Sequence, residues 1–554
     1  MIKVKIASLL EDALQKNGIE TKIINLRHPA TAEHGDYSTN AALVYAGQLK
    51  KKPLELAQLI KDSVSKNELV EKVTVAPPGF VNFFLSEDAL LQELKAISNK
   101  EKKPKKIGGK TILLEYGQPN THKAPHIGHL FSYIFSESLA RMLEEAGNKV
   151  IRANYQGDVG LHVAKCLYQV KKKTKEIKKL KTPKDKVDFL QLCYQEGTRA
   201  YEKSEKIAAE IDELNQKIYH KDPEIADLWS ETRKWSLDFF REFEKDLGIK
   251  YDHYYFESET AMRGGEIVKE HVSDIFTKSD GAIIFKGEKY GLHTRVFITQ
   301  FGMPTYEAKD IGLNELKLRL NFDLSIVTTA SEQNEYYKVI TKVSELIFPE
   351  LKGKLKHLGF GLIQLKTGKM SSRTGEIVDA FEVAELTKDT IKKQYQSGKE
   401  LAAAVGFAAI KYSFLKSDAY KNIVFDLAKS ISRQGDSGPY LLYTYVRTQS
   451  ILGKTPNVKT AIPKVNLNPE EKMILRLIYQ FPEVTEAATS LYSPHLIASY
   501  LYLLAQNFNL FYQKHSVLKA DGETKQFRLA MTFAVGKIIK DGLYLLGIQT
   551  VSKM

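Results

Sequence analysis

From Ile2 to about Asn99, apolar positions fall first at helical spacing and then alternate, through Val73, Val75 and Gly79-Phe80-Val81-Asn82-Phe83-Phe84. A period near 3.6 giving way to a period of two predicts helices and then paired strands, a small α/β domain over 1–100. The run Asn99-Lys100-Glu101-Lys102-Lys103-Pro104-Lys105-Lys106 has no apolar period and reads as a solvated linker. Beyond it, Thr111-Ile112-Leu113-Leu114 suits a buried parallel strand, and an amphipathic helix is expected from about Gly128 to Glu145. Lys149–Asn154 predicts a second strand and Asp323–Thr328 a third. Strands parted by helices predict a Rossmann-like, doubly wound parallel sheet over 108–350. Helical segments up to about Gly248 interrupt it, and an insertion is placed at about 165–290. Residues 351–425 follow as a separate region. After about Asp426, Leu, Tyr and Phe at helical spacing predict an all-α domain over 426–554.

At 554 residues the chain should divide into about three to five such units. Its 43% apolar and 27% charged composition argues against long disorder. A net charge of +14 favours a polyanionic partner, nucleic acid before membrane, because cations that neutralise phosphates release counterions. A basic surface kept for solubility fits equally well. The lysine-rich stretch from Lys171-Lys172-Lys173 to Lys186 has the same two readings, a solvated face or contact with RNA phosphates. Two cysteines, Cys166 and Cys193, are too few for a structural zinc site and badly spaced for a redox pair. The N-terminus lacks the apolar core of a signal peptide, and no run is apolar enough to span a bilayer. A cytoplasmic monomer with no membrane partner is expected.

Pro125-His126-Ile127-Gly128-His129 follows the first buried strand and opens a helix, which puts both histidines where phosphate binds in such sheets. Gly128 permits close approach of a nucleotide, and imidazoles can donate to phosphate oxygens. Two histidines three apart can also bind metal or cap a helix. A second motif, Lys369-Met370-Ser371-Ser372-Arg373, lies between Gly368 and Gly375 as a phosphate loop would. Tyr306 and Asp310, spaced i, i+4, share one face if Pro304-Thr305 starts a helix, so that a phenol and a carboxylate converge. Asp310 can accept a bidentate fork from a guanidinium, and Glu115 at a strand end adds a second negative group.

The ordered pair of motifs resembles the two signatures of class I aminoacyl-tRNA synthetases. The resemblance narrows to the arginyl-tRNA synthetases through His34-Gly35-Asp36-Tyr37-Ser38-Thr39-Asn40, Pro78–Phe83, Glu115, Pro119-Asn120, Gly157-Asp158, Tyr306, Asp310 and Ser437-Gly438-Pro439-Tyr440. It implies activation of L-arginine with ATP, which carries Mg²⁺, followed by transfer to the 3′ end of the tRNA for arginine. It further implies catalytic roles for His126, His129, Lys123 and Lys369, with ATP held by His126, Gly128, His129, Gly157, Asp158, Lys369, Met370, Ser371 and Ser372. Arginine would be held by Glu115, Gln118, Asn120, His129, Tyr306, Asp310 and Gln333. The N-terminal domain would read the D-loop elbow of the tRNA and the helical C-terminal domain its anticodon, with Tyr440, Tyr443, Tyr445 and Arg447 as candidates to meet bases.

Four positions depart from the family. Gly117-Gln118 stand where many relatives have serines, Val159 replaces a tryptophan, and Ser372 stands in place of a second lysine. Lys123 is therefore expected to supply the missing charge, with an ordinary surface lysine as the alternative. Another class I synthetase, a small-molecule nucleotidyltransferase and a catalytically inactive RNA-binding relative are the competing readings.

Overall fold

The computed structural model describes residues 2–20, 24–29, 31–98, 108–366, 379–455 and 462–554. In the N-terminal domain, β1 (Tyr37–Thr39), β2 (Val70–Ala76) and β3 (Phe80–Leu85) form an antiparallel sheet in the order β1-β3-β2. The alternation in the sequence has its cause here, since Val81 and Phe83 face inward onto Leu56 and Ile60 of helix Pro53–Ser63 and Leu10 of helix Ile2–Lys16. The domain is not a free appendage. Asp36 accepts the Leu85 N–H at 2.8 Å and an ion pair from Arg476 at 3.0 Å, while the Tyr37 hydroxyl donates to Glu483 at 2.5 Å. His28 also meets Glu483 at 3.0 Å. The His-Gly-Asp-Tyr segment thus serves the junction with the C-terminal helix Pro469–Ser490.

The central sheet joins β4 (Thr111–Glu115), β5 (Lys149–Gln156) and β6 (His253–Phe256) to strands further along the chain. Between β6 and those strands lies a small antiparallel sheet of β7 (Thr277–Ser279), β8 (Ala282–Phe285) and β9 (Arg295–Ile298). β10 (Leu324–Ala330) and β11 (Leu355–Phe360) then complete an all-parallel sheet of order β11-β10-β4-β5-β6. Ile112, Leu113 and Leu114 of β4 are buried on both faces, as a central parallel strand requires.

Two boundaries differ from expectation. The range 165–290 contains β6, a strand of the main sheet, so two insertions replace the single one: helices between Leu161 and Asp246, then the β7–β9 sheet. β6 escaped notice because it is a short edge strand with all four residues half-buried, leaving no alternation to read. The range 351–425 opens with β11, which also belongs to the main sheet, and helices Ala380–Tyr395 and Lys399–Leu415 precede the predicted start of the helical region. β12 (Ile363–Leu365) pairs in parallel with β13 (Ile423–Phe425) around them. No described residue after Phe425 lies in a strand, and helices Gly438–Gly453, Pro469–Ser490, His495–Lys514 and Gly522–Leu545 form the last domain. Among the described residues, no helix is long and apolar enough to cross a membrane.

Candidate active site

The site is assembled where the strands of the main sheet end. β4 stops at Glu115, and the chain then turns through left-handed backbone at Gly117 (φ 89°) and Gln118 (φ 55°). A side chain at Gly117 would lie 2.7 Å from Tyr133 and from the Tyr251 hydroxyl, so glycine is the residue that fits where relatives carry serine. The turn is pinned by Ser132 Oγ, which accepts from Gly117 N–H, and by Asn154 Oδ1, which accepts from Gln118 N–H, each at 3.0 Å. Further along, Asn120 pairs with Gly157 at the end of β5, and a methyl on Gly157 would sit 2.1 Å from Asn120 Oδ1.

An acidic pocket lies on one side of this turn. Glu115 is 1% exposed, and its Oε1 accepts from Gln118 Nε2 at 2.6 Å. Its Oε2 faces the ammonium of Lys317, itself 2% exposed. Asp310 lies on helix Tyr306–Leu318, one turn inward of Tyr306, and accepts from the Tyr336 hydroxyl at 2.8 Å. Burial, with Glu115 nearby, pushes the Asp310 carboxyl up to about 7. Tyr337, from the same helix as Tyr336, stacks on His357 with ring centroids 4.3 Å apart. Glu115, Asp310, Asn314, Lys317, Tyr337 and His357 all border a cavity of about 20 Å³, room for one water. Tyr306 and Asp310 do start one helix as the spacing predicts, but the phenol that meets the carboxylate belongs to Tyr336. Tyr306 is 60% exposed at the mouth, its ring 4.7 Å from the Lys309 ammonium. Lys309 in turn holds a buried ion pair with Glu257 at 2.6 Å.

On the other side, His126 is the N-cap of helix Ile127–Glu145. Its Nδ1 accepts from Gly128 N–H at 3.1 Å, and His129 Nδ1 accepts from His126 N–H at 3.0 Å. The helix-capping alternative is therefore realised, without removing the functional one. With both Nδ1 atoms accepting, the protons of the neutral rings sit on Nε2, free to donate outward. The rings are kept neutral. Desolvation and the charge of Lys123 hold His126 down to about 4, and burial holds His129 well below the usual histidine range. Lys123 is half-buried, its ammonium 5.8 Å from the Tyr194 ring, and desolvation lowers it while Glu257 opposes the shift. It is not an ordinary surface lysine. Ala380 N–H donates to Pro125 O at 2.9 Å, tying the histidine segment to the chain beyond the second motif.

Other candidates fall differently. Asp158 is fully buried and spends its carboxylate on Arg233 Nε at 2.7 Å and on the Ser258 amide and hydroxyl at 2.8 and 2.7 Å. It ties the helical insertion to the start of helix Glu257–Glu270, so its carboxylate has partners within the fold. Gln333 ends the turn Ser331–Gln333 after β10, exposed at the sheet's carboxyl edge. Lys369, Met370, Ser371 and Ser372 lie outside the described residues. Sequence reasoning missed Lys317, Tyr336 and Lys309. Lys317 carried a signal, since it stands seven residues from Asp310 and so on the same helix face.

A parallel sheet with a histidine-capped helix following its first strand fits the catalytic domain of a class I aminoacyl-tRNA synthetase, and the family match makes that the class. The model for "tRNA synthetases class I (R), catalytic domain" matches residues 92–427, that for "Arginyl tRNA synthetase N terminal domain" 2–85, and that for "DALR anticodon binding domain" 441–554. The chain belongs to the arginyl-tRNA synthetases. It is 30% identical to the arginine–tRNA ligase of Phocaeicola vulgatus over 91% of each chain, and 29% identical to that of Bacteroides thetaiotaomicron over 98% of this chain and 97% of the relative. Its fold matches the arginyl-tRNA synthetase of Thermus thermophilus with a TM-score of 0.82 over the whole of both chains at 22% identity.

Proposed function

We propose that the protein activates L-arginine with ATP and transfers the arginyl group to the 3′ end of its tRNA. The carrying observation is the paired carboxylates, Glu115 and Asp310, beside the neutral histidine pair at the helix start. The guanidinium would reach Asp310 and Glu115, and Asn120 with Gln333 would hold the amino and carboxylate groups of the amino acid, near His129. The arginine carboxylate attacks the α-phosphorus of ATP, the bond to the pyrophosphate oxygen breaks, and negative charge grows on the phosphate oxygens. The Nε2–H groups of His126 and His129 and the ammonium of Lys123 would stabilise that charge. Mg²⁺ would arrive on the ATP phosphates, the usual way this ion is held. Among the described residues no cluster of three His, Cys, Asp or Glu side chains could hold a metal.

The tRNA would be read at two places. In the C-terminal domain, Tyr443 (37% exposed) and Tyr512 (38% exposed) flank Arg447, whose guanidinium lies 4.7 and 4.9 Å from their rings. That cluster suits splayed bases better than Tyr440 and Tyr445, which are packed against the core. The protein would work as a monomer in the cytoplasm. Arginine-dependent ATP–pyrophosphate exchange, measured with and without the tRNA, tests the reading. Exchange driven by another amino acid, or by none, would overturn it.

A further inference from the structure

Lys317 has no part in the reading above, yet its ammonium lies at the floor of the acidic pocket. Burying a lysine is expensive unless a partner answers its charge, and here the partner is Glu115, one of the two carboxylates proposed to bind arginine. With both carboxylates ionised, the pocket therefore contains two negative charges and one fixed cation, a net charge of −1 before any ligand enters. One guanidinium brings it to zero. Without Lys317 the same pocket would stand one charge short of neutrality even when filled. Lys317, Glu115 and Asp310 all border the same cavity, so the cation and both carboxylates act on one space.

We propose that Lys317 is a built-in counter-cation that sets the charge of the arginine pocket, making it complementary to a single monocationic side chain; this rests on the assignment of Glu115 and Asp310 to arginine. Lys317 is thus a positioning residue, acting through the carboxylates. Its influence reaches Asp310, whose titration it opposes from the same helix. The other groups facing Asp310 are Glu115 on β4, Tyr155 on β5, Glu257 on helix Glu257–Glu270, and Tyr336 and Tyr337 on helix Asn334–Ile347. Of these only Lys317 and the Tyr336 hydroxyl favour the ionised form.

The experiment is the pH profile of the arginine KM, in aminoacylation with tRNA present, for wild type, Lys317→Met, Lys317→Arg and Glu115→Gln/Lys317→Met. Lys317→Met should move the inflection of log KM upward by about one pH unit, the effect of losing one nearby cation at effective protein dielectric. The double variant, which restores the net charge without the ion pair, should bring the inflection back toward wild type. Lys317→Arg should leave it in place. An inflection unmoved in Lys317→Met, with KM raised or not, would mean a merely structural ion pair and overturn the inference. Should Lys317→Met not fold, the other two variants decide, since a displaced inflection in Lys317→Arg or one left raised in the double variant has the same meaning. Asp310→Asn separates the underlying assignment, because an unchanged arginine KM there would remove the pocket itself.

Discussion

On the wall built by β4, helix Tyr306–Leu318 and the start of helix Glu257–Glu270, acidic groups are buried and each has a partner: Glu115 has Lys317, Glu257 has Lys309, and Asp310 accepts from the hydroxyl of Tyr336. Across the turn, at the start of helix Ile127–Glu145, the histidines are neutral and Lys123 is the cation beside them. The first arrangement recognises a charge that exists before reaction, so its groups must be fixed and balanced in advance. The second meets charge that grows during reaction, and uncommitted N–H donors suit that better than groups already paired. Recognition and chemistry are thus separated in space by the turn at Gly117 and Gln118.

If that division holds, the largest effect should come from the substrate. Citrulline keeps the shape of arginine but brings no cation, leaving the one negative charge that Lys317 does not offset unanswered. Its kcat/KM should be lower by about 10⁴-fold, near the limit for sites built to hydrogen-bond a lost group. Comparable rates with arginine and citrulline would end the acidic-pocket reading. Next is His129→Ala, which removes an outward donor. A loss of ~3 kcal/mol, about a hundredfold in the rate of adenylate formation, is expected with arginine KM changed far less. A change confined to KM would put His129 on the recognition side and erase the contrast.

Lys123→Ala comes third, at roughly thirtyfold in the same rate, ~2 kcal/mol, because a single partly solvated cation is lost. Single-turnover kinetics at saturating ATP and arginine would check it. An unchanged rate would return the missing second lysine of the phosphate loop to the list of unexplained departures.

How far the two walls were legible in the sequence differs for a physical reason. The histidine wall is local: a buried strand, a turn and a capped helix lie within Thr111–Glu145, and hydrophobic period with helix-start chemistry suffices to place His126 and His129. The acidic wall is assembled from β4, two distant helices and the register of β10 beside β4. Spacing alone put Tyr306 and Asp310 on one helix, but it could not say that Tyr336 would be the phenol at Asp310. Asp158 shows the same dependence on distant chain, since nothing next to Gly157 announces that Ser258 and Arg233, 100 and 75 residues away, would meet its carboxylate. β6 was hidden by its shortness and its place at the sheet's edge.

The smallest expected effect tests the acidic wall by titration. Arginine binding needs Asp310 ionised, and with its carboxyl raised to about 7 a proton competes with the guanidinium below that pH. Between pH 8 and pH 6, then, the arginine Kd should rise by up to about tenfold, with protons released on binding near pH 7. The empty enzyme should move the other way. A carboxyl whose folded pKa is raised above its unfolded value binds more protons when folded, so its contribution to stability is present at acid pH and lost as pH rises through 7. Arginine should therefore raise the melting temperature more at pH 8 than at pH 6, because it restores a partner to a carboxylate that is charged and poorly solvated only at the higher pH. Calorimetry in two buffers of different ionisation enthalpy would measure the proton release directly. A thermal shift equal at both pH values would place the guanidinium away from Asp310, and the neutral histidine wall would lose the partner against which its role is defined.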